Sequence, residues 1–82
     1  MKQSTIDLIE EEIQTARKKY GPFNSTHEAY AVLQEEVNEF WELVQTNNHK
    51  HKEDFMISEL KQVAAVAIRI MEELQDDEIR HV

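Results

Sequence analysis

The chain lacks cysteine and contains only one glycine and one proline in 82 residues. Without cysteine no disulfide framework can form. So few glycines and prolines leave little material for the tight turns that join β-strands. No apolar run approaches the roughly 20 residues that a membrane helix needs. These absences predict an all-α fold, which we expect to form a single domain over residues 1–82.

Basic residues are also scarce. Nine lysines and arginines stand against 17 acidic residues, which gives a formal net charge of -8. This charge disfavours binding to a nucleic-acid backbone. Nothing resembles a signal peptide, so we expect a soluble, cytoplasmic protein without a membrane or nucleic-acid partner. A core of this size typically supplies only about 3 to 5 kcal/mol, which predicts stabilisation by homo-oligomer formation.

Hydrophobic periodicity and capping signals predict three helices. Ser4 with Asp7 resembles a capping box, and Ser25 with Glu28 forms a second one after the Gly-Pro break in "YGPFNS". The expected helices cover about residues 4–20, 25–45 and 53–74. The tail, 75–82, is expected to fray or to add a short docking turn.

The second helix carries carboxylates inside its apolar stripe, in "LQEEVNEFWEL". With Leu33 at 0° on a helical wheel, Glu36 falls at about 300°, inside the stripe, and Glu39 at about 240°, at its edge. On the third helix Glu59 lies within the stripe and Gln62 at its border. Four further glutamates of these two helices are predicted to face solvent: Glu35, Glu42, Glu72 and Glu73.

The expected hairpin register brings these polar residues together. If the connection is centred on His49, Glu39 pairs with Glu59, and Glu36 pairs with Gln62 in antiparallel helices. An ionised carboxylate in an apolar setting needs a proton, a base or a cation. Few bases are near, so a hard divalent cation that prefers oxygen ligands is the natural counter-charge. We therefore predict a Mg²⁺ site, which Mn²⁺ can also fill, within a helix bundle.

Magnesium held by carboxylates usually serves substrate phosphates, which favours hydrolysis of a phosphoanhydride. The cation also reconciles an acidic protein with an anionic substrate. A di-iron site is disfavoured because the Glu-x-x-His pairs of such bundles are absent. A carboxylate paired with a base of a neighbouring subunit is the structural alternative for Glu36 and Glu59.

The chain resembles the MazG-like all-α nucleoside triphosphate pyrophosphohydrolases over about Phe23 to Leu74. Their motif places Glu-x-x-Glu on one helix and Glu-x-x-Asp on the next. Here "EEVNE" supplies the first pair, while "SELKQVAAVAI" supplies Glu59 and puts Gln62 where the family has aspartate. The stretches "HEAYAVLQEEVNEFWELV" and "ELKQVAAVAIRIMEEL" look especially like the short MazG-like proteins often carried by phages.

The resemblance implies an antiparallel helical hairpin that assembles as a dimer or tetramer. It also implies cleavage of a nucleoside triphosphate, often a deoxynucleotide, to the monophosphate and pyrophosphate. Glu36, Glu39 and Glu59 would be magnesium ligands, and Gln62 a weaker ligand or a hydrogen-bond partner. Glu36 or Glu39 would position or deprotonate the attacking water. Because an amide replaces a carboxylate at Gln62, the metal site should be weakened, and turnover itself is in question.

Several other residues admit two interpretations. Lys61 is a candidate phosphate contact, and Trp41 is a candidate for stacking on a base, although such aromatics are more often core or interface. The "RKK" at 17–19 fits the helix dipole or a phosphate contact from a partner. The "HKHK" at 49–52 fits a solvated loop or a transition-metal site. Two functional alternatives also stay open: a non-catalytic helical interaction protein, and a nucleotide-binding protein that has lost hydrolysis.

Overall fold

The computed structural model describes residues 1–46, 50 and 52–80, and these residues form an all-α fold as the composition predicts. The helices are α1 (Gln3–Lys19), α2 (Thr26–Gln45) and α3 (Lys52–Gln75). Each boundary lies within a residue or two of its predicted position. Within the described residues, no helix combines the length and apolarity needed to cross a membrane.

Helix α3 is the centre of the arrangement. It packs against both α1 and α2, whereas the backbones of α1 and α2 do not approach each other within the described residues. The break at Gly21 and Pro22 separates α1 from α2, and the side chain of Phe23 then turns inward and is buried. The three helices therefore enclose a space between α1 and α2 that α3 closes on one side.

The two predicted capping boxes have different outcomes. At α2 the prediction is confirmed, because the Ser25 hydroxyl accepts the Glu28 N–H at 3.1 Å, while Glu28 accepts the backbone N–H of Asn24 at 3.2 Å. At α1 the prediction is wrong. The helix begins at Gln3 and no side chain caps it; Asp7 instead accepts the Gln3 side-chain amide at 2.8 Å.

The tail docks rather than frays over the residues described, 76–80. Asp77 has φ 55°, a left-handed conformation that aspartate tolerates. The N–H groups of Asp77 and Glu78 bond to the carbonyls of Leu74 and Glu73, which closes a Schellman turn at the end of α3. The chain then returns to the start of α2. Of the two outcomes predicted for the tail, the docking turn is therefore the one observed over 76–80, while 81–82 lie outside the described residues.

A small core forms where the tail meets the helices. Its buried members are Phe23, Ala29, Val66 and Ile79, with Val32, Leu33, Ile70 and Leu74 packed against them. Other members of the predicted apolar stripes remain exposed, including Val37 at 41%, Leu60 at 45% and Met71 at 58%. The described chain thus leaves part of each stripe uncovered.

Candidate functional site: an acid cluster beside a cavity

Three glutamates meet at the contact between α2 and α3. Glu36 and Glu39 come from successive turns of α2, and Glu59 comes from α3. One carboxylate oxygen of each lies within 4.8 Å of the others, and all three side chains are partly buried. We call this group the acid cluster. The helical wheel and hairpin register therefore predicted this juxtaposition correctly.

The electrostatics of the acid cluster are unfavourable without a counter-charge. Burial, followed by the negative charge of Glu39, raises the pKa of Glu36. Burial and the interaction with Glu59 raise the pKa of Glu39. Burial also raises the pKa of Glu59, and the charge of Glu36 adds to the effect. All three shifts favour the protonated form, so full ionisation of the acid cluster costs free energy in the folded chain.

One oxygen of the acid cluster lacks a partner. Glu59 Oε2 is buried and has no hydrogen-bond partner among the described residues. A buried acceptor of this kind loses its hydration without compensation. A cation bound by the three carboxylates would satisfy this oxygen and offset the repulsion among the charges. The donor set is entirely oxygen, which suits Mg²⁺, Mn²⁺ or Ca²⁺ better than a soft metal.

Gln62 is not part of the acid cluster. Its amide Nε2 instead donates to Glu12 Oε1 on α1, at 3.0 Å. The hairpin register predicted that Gln62 pairs with Glu36. In the structure, both side chains line the same cavity. The amide thus joins α3 to α1, and its role as a metal ligand stays a prediction.

Glu12 was not identified from the sequence. It also lies 3.5 Å from the Lys61 ammonium, and its negative charge contributes to raising the pKa of Glu36. The spacing of the apolar residues predicts that α1 is a helix, but it does not predict how α1 packs against α3. Lys61 is therefore engaged with an acid on α1, and its proposed contact with phosphate stays a prediction.

A cavity of about 510 Å³ lies beside the acid cluster, in the space between α1 and α2. We call it the α1–α2 cavity. Its volume falls within the range of small-molecule sites, roughly 300 to 1,000 Å³. Glu36 belongs both to the acid cluster and to the wall of this cavity, so the two features are continuous. The other lining residues are Glu12, Thr15, Ala16, Lys19, Tyr20, Gly21, Phe23, Glu28, Val32, Gln62, Val66 and Arg69.

A buried arginine forms part of the cavity wall. Arg69 is 6% exposed, and its guanidinium lies over the Phe23 ring at 4.5 Å from the centroid. Its Nε is 3.9 Å from Glu73 Oε2 and has no hydrogen-bond partner among the described residues. Sequence patterns alone do not reveal this arginine, because on the helical wheel of α3 it lies away from the centre of the apolar stripe.

The prediction that Glu73 faces solvent is wrong. Glu73 is 4% exposed and accepts the backbone N–H of Phe23 at 2.8 Å. It is covered because the loop before α2 folds over the last turns of α3. Glu35 and Glu42 are exposed as predicted, and Glu72 is partly exposed and pairs with Arg17.

The remaining predicted residues lie away from the acid cluster or outside the described chain. Trp41 is 56% exposed on α2, so a role in stacking on a base stays a prediction. His49 and His51, on which the "HKHK" interpretation and the centre of the hairpin register depend, lie outside the described residues.

Comparison of the chain with protein-family models, curated proteins and solved structures gave no match. The functional interpretation therefore depends on the residues of the site and on the geometry that surrounds them.

Proposed function

We propose that the chain is a Mg²⁺-dependent nucleoside triphosphate pyrophosphohydrolase, similar to the MazG-like enzymes that α2 and α3 resemble. Its substrate would be a nucleoside triphosphate, in particular a deoxynucleotide, and its products the monophosphate and pyrophosphate. The observation that carries the proposal is the acid cluster. Three carboxylates, from Glu36, Glu39 and Glu59, share one small volume without a cationic partner among the described residues.

Two further features support a phosphate substrate. Glu59 Oε2 is buried without a hydrogen-bond partner among the described residues, so its lone pairs could coordinate a cation. The α1–α2 cavity begins at Glu36 and contains the cationic side chains of Lys19 and Arg69. A cation site next to a cavity with basic groups suits a metal-bound polyphosphate better than a neutral ligand.

Glu36, Glu39 and Glu59 would hold the metal, whose positive charge would neutralise the phosphate oxygens. Glu36 or Glu39 would also position or deprotonate the attacking water. In the proposed reaction, one of these two carboxylates takes a proton from water as the water oxygen bonds to the α phosphorus. The bond between the α phosphorus and the oxygen that bridges it to the β phosphorus breaks, and pyrophosphate leaves with that oxygen.

One observation favours a second candidate, a nucleotide-binding protein without turnover. Gln62 stands where the resembling family has aspartate, and its amide is occupied by Glu12. A site with three carboxylates instead of four carries less negative charge and should bind its metal more weakly. In this case Mg²⁺ and nucleotide would bind and no product would form.

We also propose that the active form is a homo-oligomer, a dimer or tetramer. The described chain has a small core, and exposed apolar side chains lie on all three helices: Leu8 on α1, Val37 and Trp41 on α2, and Ile57 and Leu60 on α3. A second copy is the simplest cover for these surfaces, because a domain of this size buries little apolar area alone.

Product chromatography with each NTP and dNTP tests the proposed function. In Mg²⁺ the wild-type protein should release monophosphate and pyrophosphate, and a chelator should stop the reaction. Glu36→Gln should lower turnover at least about 100-fold, since it removes a metal ligand or general base, while leaving the helical circular dichroism unchanged.

Glu35→Gln is the matched control. It removes the same charge one residue away, from an exposed side chain, and should retain most of the activity. Full activity in Glu36→Gln would contradict the assignment. Binding of Mg²⁺ and nucleotide without product in the wild type would favour the second candidate.

A further inference from the structure

The charges around the acid cluster are unevenly distributed. A second, more open cavity has Glu39, Glu42 and Glu59 in its wall, and the rest of its described lining is Leu43, Thr46, Phe55 and Ser58. The Lys52 ammonium lies beside it and donates to the Thr46 carbonyl at 2.7 Å. The α1–α2 cavity, in contrast, contains Lys19 and Arg69. The two cavities therefore differ in how their cations are engaged: Lys52 bonds to backbone carbonyls, whereas Arg69 is part of the wall of the α1–α2 cavity and has a buried donor without an acceptor among the described residues.

Most acidic groups of the α1–α2 cavity already have partners. Glu12 bonds to Gln62 and pairs with Lys61. Glu28 accepts hydrogen bonds from Asn24, both from its backbone N–H and from its side-chain amide. Glu36 belongs to the acid cluster. Within the described residues none of these three acids is ion-paired with Lys19 or Arg69; the counter-charge of Arg69 is Glu73, at 3.9 Å.

Of the two cations, Arg69 is buried with an unsatisfied donor, whereas Lys19 is exposed. Arg69 Nε is buried without a hydrogen-bond acceptor among the described residues, and the nearest charge, Glu73 Oε2, is 3.9 Å away. The Lys19 ammonium lies 5.7 Å from the centroid of the Tyr20 ring. A buried guanidinium donor without an acceptor costs free energy, and an oxyanion in the cavity would remove this cost.

The spacing restricts the length of the ligand. Arg69 lies ten residues after Glu59 of the acid cluster, about 15 Å along α3. A single phosphate group cannot reach from the acid cluster to this level of the helix. A chain of two or three linked phosphates can, when the length of the arginine side chain is added.

We propose that the α1–α2 cavity binds the terminal phosphates of the substrate, the part that leaves as pyrophosphate, through Arg69 and Lys19. This inference rests on the proposed function, because it takes the acid cluster as the anchor of the α and β phosphates. Arg69 presents a fixed planar donor whose stacking on Phe23 limits its rotation. Lys19 adds a second positive charge at the end of α1. In this arrangement the leaving group moves toward positive charge as the bridging bond breaks.

Calorimetric titration with inorganic pyrophosphate tests the inference without requiring turnover. The wild-type protein, in Mg²⁺, should bind pyrophosphate, and sulfate at matched ionic strength should bind much more weakly. Arg69→Met should weaken pyrophosphate binding roughly 10- to 100-fold, the usual effect of losing charge-assisted hydrogen bonds. Lys19→Met should weaken it about threefold to tenfold.

Lys18→Met is the matched control, since it removes the same charge from the neighbouring residue, which does not line the cavity. Its pyrophosphate affinity should equal that of the wild type. If Arg69→Met fails to fold, the comparison of Lys19→Met with Lys18→Met still decides the matter. Equal pyrophosphate affinity in Lys19→Met, Lys18→Met and the wild type would overturn the inference, as would equal binding of sulfate.

The outcomes separate this inference from the proposed function. Pyrophosphate binding that depends on Lys19, in a protein that hydrolyses no triphosphate, would support the cavity site and contradict the hydrolase assignment. Hydrolysis that depends on Glu36, with a pyrophosphate affinity that is insensitive to Lys19, would support the hydrolase assignment and contradict the cavity site.

Discussion

Gln62 of α3 donates its side-chain amide to Glu12 of α1 at 3.0 Å, next to the acid cluster. An ionised carboxylate at this position could not donate this hydrogen bond, and it would repel the Glu12 carboxylate. Glutamine stands here where the motif that the chain resembles has aspartate, and a glutamate approaches it from another helix. The charge missing from α3 is present nearby, on α1.

This relationship predicts a dependence between the two positions. Gln62→Asp should destabilise the fold by about 1 to 2 kcal/mol, because it loses the hydrogen bond and faces Glu12 with a second negative charge. The double variant Glu12→Gln/Gln62→Asp should recover most of this loss, because the amide and the carboxylate have exchanged places. Urea unfolding of the four proteins of the cycle measures the coupling energy. Additive effects of the two substitutions would show that the pair does not interact.

Glu12 and Gln62 also predict a change in Mg²⁺ affinity. If the fourth carboxylate is needed on α3, the double variant should bind Mg²⁺ more tightly than the wild type, while Glu12→Gln alone should not. Metal titrations of these two variants, made alongside the unfolding measurements, check the expectation. Unchanged affinity in the double variant would indicate that three carboxylates complete the site.

The acid cluster predicts a dependence of stability on pH in the absence of metal. Its three carboxyls have raised pKa values in the folded chain, so the folded state binds more protons than the unfolded state. Their contribution to stability is full below the ordinary carboxyl pKa of 4.5 and is lost as the pH rises through the raised values. In chelator, the wild-type melting temperature should therefore fall as the pH rises from about 5 to 7.

Glu59→Gln tests the cause of this dependence. Removing one of the three charges should raise the melting temperature of the metal-free protein at pH 7 and flatten its fall between about pH 5 and 7. The control is Glu11→Gln, which removes an exposed charge on α1. Curves of equal slope for Glu59→Gln and the wild type would contradict the prediction.

The docked tail predicts a large effect from a small deletion. Ile79 is 3% exposed in the core formed with Phe23, Ala29 and Val66. Ile79→Ala should lower the free energy of unfolding by about 2 to 4 kcal/mol, the usual cost of a buried isoleucine. Glu78→Ala, at an exposed neighbour, should change it by less than about 0.5 kcal/mol. Equal stability of the two variants in urea would mean that the tail does not dock in solution.

Adjacent glutamates on α3 provide a further comparison. Glu73 is buried beside Arg69 and accepts a bond from the Phe23 backbone, whereas Glu72 forms a half-exposed pair with Arg17. Glu73→Gln should cost about 1 to 3 kcal/mol, since it leaves the buried arginine without a counter-charge. Glu72→Gln should cost less than about 1 kcal/mol. Thermal or urea unfolding compares the two, and an equal loss would contradict the assigned burial.

Sequence reasoning predicted the features that depend on local periodicity. The positions of Glu36, Glu39 and Glu59 follow from the wheel of each helix and from the antiparallel register of one hairpin. It missed Glu12 and Arg69 because their importance depends on how α1 and the loop before α2 pack on α3, and no spacing in the chain encodes that packing. Glu73 was wrongly expected in solvent for the same reason, since Phe23 covers it from a distant part of the chain.

Calorimetric titration of the metal-free protein with Mg²⁺ at pH 7 tests the central claim, that the acid cluster is a divalent cation site. The account predicts binding in the wild type and its loss in Glu59→Gln, with Glu11→Gln unchanged. At about ten times its dissociation constant, Mg²⁺ should also stabilise the wild-type fold by about 1.4 kcal/mol, a shift of several °C. Absence of binding, or equal binding in Glu59→Gln and the wild type, would contradict it.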